Sequence, residues 1–139
     1  MEIRVFEQAD APAVVSLWQV CGLTRPWNDP HADIARKLAE QPELFLVAEQ
    51  DGQLVGAVMG GYDGHRGCIN YLAVAPDRQS TGVGRALVER VEDLLRQRGC
   101  PKINLQVRLD NADANGFYEA LGYDPFQITD FGKRLVPDT

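Results

Sequence analysis

The dipeptide Asp51-Gly52 stands between two strand-like runs, residues 44–50 and 53–62. An Asp-Gly pair in that setting favours a tight type I′ turn, whose twist matches an antiparallel hairpin. A second turn, Asp63-Gly64-His65-Arg66-Gly67, leads to a third strand over 68–74. Strands joined by turns this short form an antiparallel meander, so the chain cannot be a simple run of βαβ units. Around that centre the pattern predicts a short strand over 2–6, then a helix with Asp10 as N-cap and Pro12 in its first turn. The stripe Val14, Leu17, Trp18 and Cys21 has helical spacing, and Gly22 stops it. A proline-bearing loop over 24–30 precedes a short helix over 32–40. After Ala75-Pro76-Asp77 a glycine turn opens a long amphipathic helix carrying Val83, Leu87, Val91, Leu94 and Leu95 and ending at Gly99. Residues 102–109 alternate apolar and polar side chains and predict a strand. Residues 111–121 predict a short helix closed by Gly122, and 123–136 leave room for one or two final strands. The expected fold is mixed α/β, in the order β-α-α-β-β-β-α-β-α-β-β, with about four helices.

The 139 residues suit one domain, 1–139, and 45% hydrophobic with 24% charged residues argues against a disordered or fibrous chain. The longest apolar runs, such as Leu44-Phe45-Leu46-Val47-Ala48, fall far short of the roughly 20 residues a membrane helix needs. No apolar segment near Met1 reads as a secretory signal, so the cytoplasm is the expected compartment. The cysteines Cys21, Cys68 and Cys100 form no CxxC pair, and neither His31 nor His65 lies at ligand spacing from them, so no metal is expected. A net charge of −6 disfavours nucleic acid, and any anionic ligand needs a local site.

Gln79-Ser80-Thr81-Gly82-Val83-Gly84-Arg85 provides such a site. It joins a strand to the long helix, where unpaired N–H groups and the helix dipole favour an anion and glycines allow close approach. Arg85-Ala86 follows Gly84 where a P-loop needs Lys and Ser or Thr, and Leu87 stands where a dinucleotide fingerprint wants a third glycine or alanine. A pyrophosphate cradle of main-chain amides remains, with Arg78, Arg85 and Lys102 as nearby cations.

Leu72-Ala-Val-Ala-Pro-Asp-Arg-Gln79 followed by Gly82-Val-Gly84 resembles motif A of the GNAT superfamily, and Asn111-Ala-Asp-Ala114-Asn-Gly-Phe-Tyr118-Glu-Ala-Leu-Gly122-Tyr123 resembles its second signature. Arg25-Pro-Trp-Asn-Asp-Pro30, Gly60-Gly-Tyr-Asp-Gly-His-Arg-Gly67 and Gly99-Cys-Pro-Lys-Ile103 further resemble the small bacterial YpeA-type acetyltransferases.

The resemblance implies a mostly antiparallel central sheet splayed in its middle, with acetyl-CoA as donor and no metal. It implies direct attack by a small-molecule or peptide amine in a ternary complex. The pantetheine arm is expected along Leu72, Ala73 and Val74, and the pyrophosphate on Gln79, Ser80, Thr81, Gly82, Val83, Gly84 and Arg85. Asn111 and Asn115 are further expected cofactor contacts, and Tyr118 the expected proton or hydrogen-bond donor to the departing thiolate. An alkylamine is almost wholly protonated at pH 7, so a base is needed. Ribosomal-protein N-acetyltransferases carry a glutamate five residues before the motif-B asparagine, where this chain has Gln106. Glu49 is the working assignment for the base, with Asp63, His65 and Tyr71 open as alternatives. Trp27, Asn28 and the turn from Tyr62 to Arg66 are expected to wall the acceptor pocket. A non-catalytic acetyl-CoA-binding sensor is the alternative function, and a homodimer stays open.

Overall fold

A computed structural model describes residues 1–138, which divide into two compact units, Met1–Asn104 with Asp138 and Leu105–Pro137. In the first unit Asp51 and Gly52 take φ of +54° and +77°, the pair of left-handed conformations a type I′ turn requires. They join β2 (Phe45–Gln50) to β3 (Gln53–Tyr62). β1 (Glu2–Val5) pairs with β2, and β4 (Gly67–Val74) pairs with β3. The sheet runs β1-β2-β3-β4, every ladder antiparallel.

Strand alternation sends successive side chains to opposite faces. One face carries Phe45, Val47, Ala57, Met59 and Ala73, which form a core with Val14, Leu17 and Trp18 of α1 (Ala11–Val20) and with Ile34 of α2 (Pro30–Ala39). Phe6 stacks on Phe45 at 4.2 Å between ring centroids. The other face meets α3 (Val83–Gln97), whose Val83, Leu87, Val88, Val91 and Leu95 are buried. Glycines set that approach. A Cβ on Gly56 would lie 2.9 Å from both Leu87 Cδ1 and Val83 Cγ1, one on Gly60 would lie 2.8 Å from Val91 Cγ1, and one on Gly67 would lie 2.8 Å from Leu95 Cδ1. The row seats the helix directly on the backbone and so fixes where its N-terminus falls.

One expectation holds in position and two need correction. Asp10 is the N-cap residue of α1, but its side chain makes no cap bond to that helix. Its Oδ2 accepts from Glu7 N–H at 2.8 Å and from Arg4 Nη1 at 2.8 Å, because a 3₁₀ turn over Gln8–Asp10 comes first. The strand expected over 102–109 is reduced to a parallel bridge between Gly67 and Ile103. Apolar residues 103, 105 and 107 are still more covered than their polar neighbours. Alternation specifies two faces but supplies no neighbour for the backbone groups to pair with. No strand forms over 123–136 among the described residues. The second unit instead holds α4 (Ala112–Ala120), whose N-cap Asn111 accepts from Ala114 N–H at 3.1 Å.

Gly56→Ala should lower unfolding stability by about 1–3 kcal/mol, the usual effect of adding a methyl to a filled contact. Denaturant titration checks this, and an unchanged midpoint would show that α3 can rise off the sheet.

Candidate active site

β4 is the outer strand of the sheet. Ala57 pairs with Ala73 and Met59 with Asn70, so Val58 faces two residues, Tyr71 and Leu72. This is a β-bulge, centred on Tyr71 at φ +53°, and it bends the strand and re-aims a side chain. Gly67 N–H donates to Lys102 O at 2.8 Å, and Gly67 O accepts from Asn104 N–H at 2.9 Å. Beyond that bridge no strand of the Met1–Asn104 unit covers the outer edge of β4. Residues 72–74 therefore offer backbone groups to an extended ligand.

β4 ends in a turn that leads to α3. Ser80 and Gly82 are left-handed, at φ +64° and +96°. Thr81 Oγ1 donates to Arg78 O, and Gln79 Nε2 donates to Val74 O at 3.2 Å. Gly82 is the N-cap of α3 and has no side-chain cap bond. The first helical bond runs from Ala86 N–H to Gly82 O at 3.0 Å, so the amides from 82 to 85 have no intrahelical acceptor. Open space lies where a Gly82 Cβ would stand. Uncapped amides, a positive helix end and room above them suit a phosphate group. Arg85 Nε donates to Glu89 at 2.7 Å, and Arg78 donates to Gln50 and Asp77. Arg85 and its partner are exposed, and such pairs exchange readily.

On the α1 and α2 face, a cavity of about 670 Å³ is walled by α2, β3 and β4. Tyr71 reaches it with its ring stacked on Trp18 at 4.0 Å. Its hydroxyl donates to Asp33 Oδ2 at 2.6 Å and accepts from Asn28 Nδ2 at 2.9 Å, while Asn28 also donates to Asp33 Oδ2 at 2.6 Å. Burial, then the Asp33 carboxylate, pushes the Tyr71 hydroxyl far above the ordinary phenol range. Arg36 Nη1 donates to Asp33 Oδ1 at 2.8 Å, and its guanidinium also bonds Asp138. Asp138 Oδ2 accepts from Asp29 N–H at 3.0 Å. One turn further along α2, Lys37 Nζ donates to Gly60 O at 2.5 Å, and burial lowers its pKa.

In the second unit, Tyr118 is partly buried on α4, edge-on to Phe117 and Tyr123. Burial pushes its hydroxyl up to about 12. Asn111 caps α4, and Asn115 Nδ2 donates to Arg108 O at 3.0 Å and Asn111 O at 2.7 Å. Gln106 donates to Asp130 at 2.7 Å.

Of the four candidate bases, Tyr71 and Asp63 line the cavity. Asp63 Oδ1 accepts from His65 and Arg66 N–H at 2.7 Å each, and these backbone bonds hold its carboxyl below the usual range. His65 is an exposed turn residue that does not line the cavity. Glu49 does not line the cavity. It sits on β2, two strands from β4, where it accepts from Arg4 Nε at 3.0 Å, with Arg4 also bonded to Asp10. Trp27 is exposed and outside the cavity, while Asn28 belongs to the Tyr71 cluster. Sequence reasoning passed over Asp33 and Lys37, because in a short polar helix they look like any other solvated charges. Among the described residues no group of His, Cys, Asp and Glu side chains is arranged to hold a metal, and no helix is long and apolar enough to cross a membrane.

The Acetyltransferase (GNAT) family model matches residues 11–123. An acetyltransferase of Pectobacterium atrosepticum is 55% identical over 138 residues, 99% of this chain and 98% of that protein. Among solved structures, the ribosomal-protein-S18-alanine N-acetyltransferase from Escherichia coli is 30% identical, with a TM-score of 0.70 over 87% of this chain and 76% of that one. The aminoglycoside acetyltransferase AAC(6')-Iy, in complex with the bisubstrate analog CoA-S-monomethyl-acetylneamine, has a TM-score of 0.80 at 17% identity over 97% of this chain and 98% of that one. This last likeness is one of fold.

Glu49→Gln should leave acetyl transfer within about two-fold of the native rate while lowering stability by about 0.5–1 kcal/mol, as for a lost surface ion pair. A rate assay and a melting curve on one preparation separate the two, and a large rate loss without melting change would restore Glu49 to the chemistry.

Proposed function

Because the chain belongs to the GNAT acetyltransferase family, we propose that it is an acetyl-CoA-dependent N-acetyltransferase acting on a small-molecule or peptide amine, with residues 1–139 as one catalytic domain. The observation that carries this reading is the course of β4. Its bulged, unladdered edge runs through one glycine turn into an uncapped helix N-terminus. That course suits a long ligand with an extended arm and an anionic end.

When bound, acetyl-CoA supplies an acetyl group activated as a thioester for direct transfer to the amine in a ternary complex. Amides from Ser80 to Arg85, with Gln79 at the turn, hold the pyrophosphate. Arg85 and Arg78 add positive charge once they leave their surface pairs. Backbone groups of Leu72, Ala73 and Val74 hold the pantetheine arm as an added strand holds its neighbour, and one N–H polarises the thioester carbonyl. Asn111 uses its Oδ1 as a cap and Asn115 its Nδ2 for carbonyls, so cofactor contact falls to Asn111 Nδ2 and Asn115 Oδ1.

The proton on the amine leaves through Tyr71 in place of Glu49. The Tyr71 oxygen takes the ammonium proton as its own hydroxyl proton passes to Asp33 Oδ2. The raised pKa of Tyr71 disfavours a standing tyrosinate, so the two transfers are concerted. Tyr118 keeps its proton at neutral pH and serves the leaving thiolate. Its hydroxyl, near 12, stands some 3 to 4 pKa units above a thiol near ~8.5, which makes full transfer uphill by about 5 kcal/mol. A hydrogen bond to the thiolate is therefore its contribution. The fold neighbours act on aminoglycosides and on a ribosomal-protein alanine, which supports an amine acceptor without naming one.

Gly82→Val should weaken acetyl-CoA binding by about 10-fold or more, because a branched side chain opposes the φ of +96° and crowds the anion. Calorimetry on variants of unchanged melting temperature reads this, and unaltered affinity would remove the phosphate site.

Tyr118→Phe should keep acetyl-CoA affinity within a few-fold while kcat falls by roughly 10- to 1000-fold. In the native enzyme a hydroxyl titrating near 12 adds no falling limb to the kcat profile below about pH 11. Retained kcat in the variant would make Tyr118 a packing residue, whereas a native chain that binds acetyl-CoA but turns over no amine would favour the sensor reading.

A further inference from the structure

We infer that the acceptor is a small amine that also bears a carboxylate, its ammonium held at Asp33 and Tyr71 and its carboxylate at Lys37. The assignment of the reacting end rests on the acetyltransferase reading above.

Asp33 and Lys37 both line the cavity. They occupy positions i and i+4 of α2, on one helix face, with Cβ atoms about 6 Å apart. A carboxylate has about four acceptor positions. Asp33 uses two on Oδ2, for Tyr71 and Asn28, and one on Oδ1, for Arg36. A position on Oδ1 remains for a further donor. Arg36 divides its guanidinium between Asp33 and Asp138, so the Asp33 charge is only partly compensated. That end of the cavity suits an ammonium.

The other end has the opposite character. Lys37 Nζ is half-buried and bonded to Gly60 O, a carbonyl past the last β2 partner of β3, the Phe45–Met59 pair. An ammonium has three donors, and one neutral carbonyl does not offset its charge. Glu40 and Asp63 also line the cavity; Glu43 and Glu40 act on Lys37 through space, Arg98 acts in the opposite sense, and Asp63 Oδ1 is committed to its own turn. A half-buried cation in a cavity wall is stabilised best by an anion brought to it with good hydrogen bonds. A second ammonium there would be repelled. The spacing of one helical turn places the amine and the carboxylate on well-separated carbons, as in an ω-amino acid, and disfavours an α-amino acid.

The test uses the native chain with acetyl-CoA and three acceptors of equal length, 4-aminobutyrate, butylamine and 1,4-diaminobutane, with glycine as the short control. 4-Aminobutyrate should exceed butylamine in kcat/KM by about 10-fold, the usual scale of one charge-assisted contact, and exceed the diamine by more. Lys37→Gln, which can still donate to Gly60 O, should bring the ratio of 4-aminobutyrate to butylamine to within about two-fold, and Lys37→Arg should keep most of it. A preference for the diamine or glycine, or a ratio unchanged in Lys37→Gln, overturns the inference. Calorimetric titration of the same compounds in the presence of CoA reads the pairing without turnover. If acetyl-CoA raises the melting temperature but 4-aminobutyrate shows no Lys37-dependent binding at millimolar concentration, the acceptor inference fails and the acetyltransferase reading stands. If acetyl-CoA does not bind and no amine releases CoA, that reading fails, and Lys37-dependent binding of 4-aminobutyrate still decides the charge pairing.

Discussion

Tyr71 adopts a left-handed backbone within a β-strand, a conformation that costs a residue with a Cβ roughly 1–2 kcal/mol. Its surroundings over-determine it. The ring lies on Trp18, Trp18 neighbours Phe45 at 6.3 Å, and Phe45 lies on Phe6, so an aromatic column running through the core ends at the bulge. The hydroxyl is fixed by Asp33 and Asn28. The same bulge precedes the strand edge at 72–74 proposed for the cofactor and delivers the Tyr71 side chain to the cavity. The proposed cofactor edge and the proposed acceptor cluster both adjoin this one backbone irregularity.

The second structural device is the absence of side chains at Gly56, Gly60 and Gly67. Each lies where a Cβ would strike a residue of the α3 stripe, so the helix packs at backbone distance. Its N-terminus then follows directly from the end of β4, and the left-handed Gly82 leaves the first amides uncapped. An overall charge of −6 opposes a polyanionic ligand at long range. Screening confines that repulsion to about 8–10 Å at ordinary salt, and oriented amides act within hydrogen-bond distance. Local dipoles can therefore hold an anion on an acidic protein.

Polarity within the cavity follows the α2 helix. Asp33 and Lys37 bear opposite charges one turn apart, and each is engaged by a different part of the fold, Asp33 by Tyr71 and Arg36, Lys37 by the β3 carbonyl that β2 leaves uncovered. Neither side chain neutralises the other. The ligand proposed for the site completes both, so acceptor selectivity and the satisfaction of half-buried charges become one requirement.

The meander, the Asp51-Gly52 turn, the stripe of α3 and the glycine turn before it were legible in the sequence, because each depends on residues a few positions apart whose periodicity or backbone preference acts locally. The two motifs at 72–84 and 111–123 likewise pointed to the family that the comparisons found. Interactions between distant segments were not legible. Asp10 has the chemistry of a helix cap but serves Arg4, Glu49 has the chemistry of a base but is held by that same arginine, and residues 105–109 alternate like a strand without a ladder. Asp33, Lys37 and Asp138 carried no local signal, since a charge acquires a role only through the groups packed around it. Sequence by itself determined the elements and their turns, whose energetics are short-range. Tertiary structure alone decided which carboxylate meets which cation, because those contacts join residues tens of positions apart and depend on burial that only the packed chain creates.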